Sequence, residues 1–437
     1  MPKKKVKGGR GILCVYVLIL VGRTDDGEPD HTETASVSSF ASEGSETLMC
    51  PSLEVDDVAV VQCVIDKVNS AVEALTEKRP ETRIKALSFL IETFRKHNLC
   101  LDESWSYCAT FFNAIEGILK KGKAQDRNLA AECLSIFCLQ FDTDNIAEHF
   151  LRFLPILDTV LRDSSELCSF RTVCATTLSV FQLLAGHCDF VSPKDLMKSF
   201  EFVFKGSCLK GDGKAPVLET HVSLMHVAAL RAWGLIYTFL APYDVSSVGQ
   251  AMIPTLISLL QGNNVDMRIL AGETAALIYE RIRKEADERF KGPYYTDLVR
   301  LLTDLSTDGT KSRSKVDRKK QRHSFRDLLD AVTRSDASET SINVGSEVLV
   351  LTSCSDHYQY DLLCCLLKGG MCRHLQENCL VRALFDLGLP VVISHNPLDR
   401  RSARDQRRLA NTFASKMRTQ KLCSYRDRRS NLVRDSD

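Results

Sequence analysis

The chain has 437 residues, 44% of them hydrophobic, and its 57 Lys and Arg balance 56 Asp and Glu to a formal net charge of +1 at pH 7. That apolar share excludes a wholly disordered polymer and supports a substantial core. The near-zero balance excludes binding to polyanions by overall charge, so any nucleic-acid affinity has to come from local clusters.

Residues 1–54 read as a lead-in without a core of their own. Lys3, Lys4, Lys5 and Lys7 form a short basic run of the kind read in nuclear import. The apolar stretch 12–21 follows it, and a basic run ahead of an apolar one is also the layout of a secretory signal, although the stretch is too short to span a bilayer as a helix. The 17 cysteines argue against export, because they are odd in number and scattered through apolar runs, as at Cys133, Cys138 and Cys174. Residues 23–54 are rich in Ser, Thr, Glu and Asp and lack the apolar density that offsets ordering entropy.

From 55 to 305 apolar positions recur at helical spacing, as at Val58, Val61, Ile65 and Val68. Three windows beginning at Arg83, Arg127 and Arg171 read Arg-x-x-small-x-x-x-Leu and start 44 residues apart. Related windows begin at Met225 and Arg268, after steps of 54 and 43. The long step coincides with 206–216, a stretch rich in turn formers and predicted to be an inserted loop between two units. A step in the low forties is the signature of stacked helix pairs or triplets, whose units cannot bury their apolar faces alone. The small residue at the fourth position lets helices cross closely. The predicted fold is therefore all-α, an armadillo/HEAT-like α-solenoid over 55–305. Helix ends are expected at Lys78–Pro80, Lys120–Lys123, Gly262–Asn264 and Lys291–Pro293.

A basic connector and helix is predicted for 306–345. Within 311–326 eight cations face one acid, Asp317, and helical spacing resumes at Phe325, Leu328, Leu329 and Val332. A small carboxy-terminal module is predicted for 346–392, with an extended segment at 347–352 and helices over 360–367 and 380–387. The last stretch, 393–437, reads as a basic tail, with twelve Lys or Arg against five Asp from 399 onward.

No constellation for catalysis is found. Gly206 and Gly211 have phosphate-loop spacing, but Asp212 stands where Lys is required, and no nucleophile elbow, zinc-protease helix or dinucleotide fingerprint occurs. His221 and His226 read as core or boundary residues. Cys364, Cys365, Cys372, His374 and Cys379 cluster without the paired Cys-x-x-Cys of a zinc site, and read as packed thiols on helices. No enzyme activity, cofactor, metal, small-molecule substrate or membrane association is expected. The cationic clusters carry the functional reading. Lys311, Arg313, Lys315, Arg318, Lys319, Lys320 and Arg322, with Arg400, Arg401, Arg404, Arg407 and Arg408, are expected to contact nucleic-acid phosphate, because each such contact releases condensed counterions. Aromatic residues are sparse there, which favours backbone and shape recognition over base stacking.

Two long stretches resemble the interferon-related developmental regulators. These are Val265-Asp-Met-Arg-Ile-Leu-Ala-Gly-Glu-Thr-Ala-Ala-Leu-Ile-Tyr-Glu280 and the basic run from Asp308 to Asp327. The resemblance extends to Tyr360-Asp-Leu-Leu363, to Gly369-Gly-Met-Cys-Arg-His-Leu-Gln-Glu-Asn-Cys-Leu380, to Arg382 and to Phe385-Asp-Leu-Gly388. Residues 11–22 fall outside it, and Cys354 stands where an aromatic residue is expected. The resemblance implies a non-enzymatic armadillo-like regulator of gene expression. Two roles follow from it: binding ribosomes and repressing translation, or acting as a nuclear transcriptional co-regulator that contacts deacetylase-containing repressor complexes. The expected partners are the ribosome or RNA, and protein partners received in the solenoid groove. The expected locations are cytoplasm and nucleus. Arg268 and Glu273, although within the first stretch, are expected to serve packing or capping.

Overall fold

The computed structural model describes residues 56–99, 101, 105–140, 146–185, 192–307, 315–334, 339–345 and 347–390. Its helices pair as hairpins: α1 (Asp56–Leu75) with α2 (Pro80–Lys96), α3 (Cys108–Lys121) with α4 (Ala124–Phe137), and α5 (Ile146–Arg162) with α6 (Cys168–Ala185). The series continues with α7 (Pro193–Phe204) and α8 (Thr220–Tyr237), α9 (Pro242–Leu260) and α10 (Val265–Glu285), and α11 (Tyr295–Thr307) and α12 (Lys315–Arg334). The second helices α2, α4, α6, α8, α10 and α12 stack in that order into one row. The fold is all-α and solenoid-like, with a small carboxy-terminal module.

Local chemistry sets the helix ends. Pro80, Pro193 and Pro242 occupy first-turn positions, where the missing N–H costs nothing and the fixed φ suits a helix. Asn264 caps α10 by accepting from the Met267 N–H at 2.9 Å. The turn-rich stretch 206–216 does lie outside the α-helices, but it joins α7 to α8 within the fourth hairpin instead of separating two units.

The 44-residue step has a physical cause in the arginine that opens each window. Arg83 donates to the carbonyls of Glu77 at 3.0 Å and Lys78 at 3.1 Å, just past the end of α1, and pairs with the fully buried Asp126 on α4. Arg127 donates to Leu119 O at 3.0 Å in the last turn of α3, pairs with Glu166 at 2.7 Å, and lies over the Phe170 ring. Arg171 donates to Leu161 O at 3.0 Å at the end of α5. Arg127 and Arg171 thus satisfy carbonyls that the first helix of their own hairpin leaves unbonded, Arg83 ties down the turn that follows α1, and Arg83 and Arg127 also reach the next hairpin. The fourth-position residues Ala86, Ala130 and Cys174 and the eighth-position Leu90, Leu134 and Leu178 are all buried.

The array extends beyond the expected boundary at 305. Helix α12, expected as part of a connector, packs against both α10 and α11 as the second helix of a sixth hairpin. A Cβ on Gly272 of α10 would come within 2.7 Å of Leu328 and 3.2 Å of Phe325, so the absent side chain is what lets α12 seat. The extended segment expected at 347–352 is β2 (Glu347–Leu351), and it pairs antiparallel with β1 (Thr340–Val344), which comes from the expected connector. Helices α13 (Cys354–Leu367), α14 (Met371–Glu377) and α15 (Cys379–Leu384) follow. Ser353 and Asp356 form a reciprocal capping box at the start of α13. Arg382, almost fully buried, pairs with Glu347 at 2.8 Å and donates to Leu375 O at 2.7 Å, Leu387 O at 2.7 Å and Gly388 O at 2.8 Å, tying β2, α14 and the end of the module together.

Replacing Arg83 with Ala strands Asp126 as a buried charge and frees two carbonyls of the turn after α1. The expected loss is about 3 kcal/mol, read from urea unfolding. His226, buried on α8 beside Ser207 with 2.7 Å between Oγ and Nδ1, is held neutral by burial, its pKa lowered from 6.5 to about 4. The unfolded chain takes up that proton first, so stability falls as pH drops from 6.5 toward 4. The wild type should therefore lose more of its urea midpoint between pH 7.5 and pH 5 than His226→Gln does.

Candidate nucleic-acid interface

Helix α12 places part of the predicted cationic cluster. Lys315, Arg318, Lys319, Lys320 and Arg322 all lie on it. At 3.6 residues per turn, Lys315, Lys319, Arg322 and Arg326 recur at one face, with Arg318 beside them and Lys320 on another side. Arg322 and Arg326 are exposed, whereas Phe325, Leu328 and Val332 are buried and fix the helix against the array. Arg283 of α10 strengthens the seat by donating to Val332 O at 2.7 Å. Arg326 belongs to the same face and is absent from the sequence-predicted contacts, although its i, i+4 spacing from Arg322 was enough to find it. The acids Asp327 and Asp330 follow in the carboxy-terminal half, so positive charge is concentrated toward the amino end of α12, where the helix dipole is also positive. Lys311 and Arg313 lie outside the described residues, as do Arg400, Arg401, Arg404, Arg407 and Arg408 of the tail and Lys3, Lys4, Lys5 and Lys7 of the lead-in.

The face made by the row of second helices is a different matter. Helix α13 lies on it and touches α10, α8, α4 and α2. At one end the Cys354 N–H donates to Glu280 Oε2 at 2.7 Å, and burial raises the Glu280 carboxyl above its ordinary pKa. Next, Tyr358 enters a notch over Gly234, where a Cβ would overlap its hydroxyl, and that hydroxyl meets Thr274 Oγ1 at 2.8 Å. Arg231 reaches Cys365 Sγ at 3.3 Å. At the far end Arg95, itself buried and paired with Glu132, donates to Leu366 O at 2.8 Å. Gly370 sits so close to Arg95 O that any side chain there would collide with it.

The same docking explains His374 of the dense Cys and His cluster, whereas Cys372 and Cys379 are exposed and not packed as expected. His374 is fully buried, with Nε2 at 3.0 Å from Phe94 O and 3.1 Å from Arg95 O, so that nitrogen carries the proton and donates to the end of α2. Its Nδ1 then accepts from Asn378 Nδ2 at 3.2 Å. Burial holds the ring below its ordinary pKa. Asn378 also donates to Leu139 O at 2.6 Å and caps α15 by accepting from the N–H groups of Leu380 and Val381. With both ring nitrogens engaged, His374 has no lone pair left for a metal. Cys364 and Cys365 are partly buried on α13, while Cys372 and Cys379 are exposed. Among the described residues, no group of three or more His, Cys, Asp or Glu is placed to hold a metal ion. No described helix is long and apolar enough to cross a membrane. His221 is exposed and lies 3.2 Å from Glu219.

Seating α12 depends on the bare backbone at Gly272. Gly272→Val should cost about 2 kcal/mol by overpacking against Leu328 and Phe325, measured by urea unfolding, with part recovered in the double variant carrying Leu328→Ala.

Comparison with known proteins bears on this arrangement. A family model described as interferon-related developmental regulator matches residues 34–333, and a second, described as the interferon-related protein conserved region, matches 378–430. The chain is 31% identical over 403 residues to Interferon-related developmental regulator 1 of Mus musculus, covering 90% of this chain and 86% of that protein. It is 31% identical over 400 residues to the Homo sapiens protein of the same name, with the same coverage. It is 32% identical over 406 residues to Interferon-related developmental regulator 2 of Mus musculus, covering 89% of this chain and 91% of that protein. Matches of this extent over the array and the module establish that the chain belongs to the interferon-related developmental regulator family.

Proposed function

We propose that this chain regulates gene expression by binding RNA on the ribosome and repressing translation. The observation that carries the reading is the stripe Lys315, Lys319, Arg322 and Arg326 at one face of a helix fixed to the array by Phe325, Leu328 and Val332. A rigid support means that its cations meet phosphate without a further ordering cost in the backbone. The clusters Lys311–Arg313 and Arg400–Arg408 add phosphate contacts in this reading, and the sparse aromatic content favours recognition of a folded RNA surface over stacking on single strands. The basic run Lys3–Lys7 directs a share of the protein to the nucleus, with the remainder in the cytoplasm.

The test is sedimentation of the tagged full chain from cell lysate through a sucrose gradient, with RNase-treated and high-salt controls. Co-migration with ribosomes that is lost in high salt is expected, because counterion release makes phosphate contacts salt-sensitive. Reversing Lys315, Lys319, Arg322 and Arg326 to Glu should weaken the association by roughly 1 kcal/mol or more per lost contact. A light, RNase-insensitive position, or no effect of the reversal, would sink the reading and favour the nuclear adaptor that contacts deacetylase-containing complexes.

A further inference from the structure

The second helices run parallel along their row: Thr177 of α6 donates to Ala131 O of α4 at 3.1 Å near their middles, and Arg283 of α10 donates to Val332 O of α12 at 2.7 Å near their ends. The turns inside the hairpins therefore lie at one edge of the stack, where α2, α4, α6, α8, α10 and α12 begin. Charge along that edge is uneven. Around the turns of the first two hairpins, over 76–81 and 120–125, five exposed cations (Lys78, Arg79, Lys120, Lys121 and Lys123) stand against two exposed acids, Glu77 and Glu81. Lys120 is taken by Glu116 at 2.6 Å, whereas Lys78, Arg79, Lys121 and Lys123 form no ion pair among the described residues. At the third turn Arg162 pairs with Asp158 at 3.1 Å, and at the fourth Lys205 pairs with Glu201 at 2.7 Å. The fifth turn, Gln261-Gly-Asn-Asn264, carries no charge, and the sixth leads into the stripe of α12. Unpaired positive charge thus sits at both ends of the edge and not between them.

Two of these cations stand where helix energetics disfavours them. Arg79 is the N-cap of α2 and Lys123 the N-cap of α4, and neither side chain bonds a backbone N–H. That position favours Ser, Thr, Asp or Asn, and a cation there faces the positive end of the helix dipole. Asn264 at the start of α10 shows the ordinary solution in the same array. Both cations are exposed, so no packing offsets the choice, and a local rule broken without such a gain marks a functional position. Their supports are rigid. Arg83 holds the carbonyls of Glu77 and Lys78 and pairs with Asp126 of α4, which fastens the first turn to the second. A Cβ on Gly122 would come within 2.5 Å of Ile118 O, so the chain turns tightly between Lys121 and Lys123.

We propose that the turns of the first two hairpins form a second phosphate-binding surface, and that one double-helical RNA lies along the turn edge. Lys78, Arg79, Lys121 and Lys123 hold it at one end and the α12 stripe at the other. The inference rests on the RNA reading of α12 and adds the form of the RNA and its second point of contact. Four steps along the row separate α4 from α12, roughly 35 Å at about 9 Å per helix contact. A duplex presents phosphates over that span on a stiff axis, at roughly 3 Å per base pair. Once one end is bound, the other contact forms within the same complex, so the two affinities reinforce each other. The contacts are to phosphate, which positions the RNA by shape and carries no base readout.

The test is fluorescence anisotropy of the full chain with fluorescein-labelled RNA duplexes of about 24 and about 8 base pairs, the shorter one unable to reach both ends. The turn variant changes Lys78, Arg79, Lys121 and Lys123 to Ser. A control changes Lys67, Lys96, Lys198 and Arg300 to Ser, removing equal charge from exposed positions away from the turn edge. With the longer duplex the turn variant should bind at least about tenfold more weakly than wild type, and the slope of log K against log salt should fall by about one per lost contact. With the shorter duplex its loss should stay within about threefold, as should that of the control with either duplex. Because Ser is a favoured cap, Arg79→Ser with Lys123→Ser should keep or raise the urea midpoint while weakening RNA binding. A turn variant that behaves as the control, an equal loss with both lengths, or a double variant that loses stability but not RNA affinity would overturn the proposal. Reversal of the α12 stripe, measured alongside, separates the two readings. A loss there with none in the turn variant removes this inference alone, whereas a wild type that binds neither duplex removes both.

Discussion

A helix in a stacked array leaves carbonyls unbonded at its carboxyl end, and when that end is covered by a neighbour water cannot reach them. In this protein arginine meets that constraint repeatedly. Arg127 and Arg171 cover the ends of α3 and α5, Arg83 binds the turn that follows α1, and Arg281, buried on α10, donates to Tyr237 O at 2.9 Å and Leu240 O at 3.0 Å at the end of α8. Guanidinium groups suit the task because a fork of five donors bridges two or three carbonyls while the charge is shared with a nearby acid. The 44-residue step is the trace of this requirement in the sequence.

The same constraint explains the carboxy-terminal module. At the ends of the first two hairpins Gln140 of the array donates to Phe94 O at 2.7 Å, and His374, Arg373 and Asn378, residues distant in the chain, cover Phe94 O, Lys96 O and Leu139 O. The module therefore completes the array, linking α2 and α4 to α8 and α10. In a simple solenoid each unit touches only its neighbours. Here α13 touches helices of the first, second, fourth and fifth hairpins at once.

The cationic face of α12 and the surface under α13 serve different chemistries. On α12 Arg322 and Arg326 are exposed on a helix whose buried Phe325 and Leu328 face Gly272 of α10, and which packs against α10 and α11. Under α13 the charges are turned inward and spent on backbone groups.

The all-α class, the helix ends at Lys78–Pro80, Lys120–Lys123 and Gly262–Asn264 and the repeated arginine windows were all legible in the sequence, because each rests on interactions within a few residues or on a regular period. The stripe on α12 was legible as well, since the helical period alone aligns Lys315, Lys319, Arg322 and Arg326. Tertiary structure decided that α12 closes a sixth hairpin, that 206–216 lies within a hairpin, that β1 comes from the expected connector, and that α13 fills the face expected to receive partners. The bond from Arg95 to Leu366 O and the pair of His374 with Phe94 O join residues 271 and 280 apart. No periodicity encodes such pairings, because they depend on where the whole array carries its two ends, and that is fixed only once every hairpin has stacked.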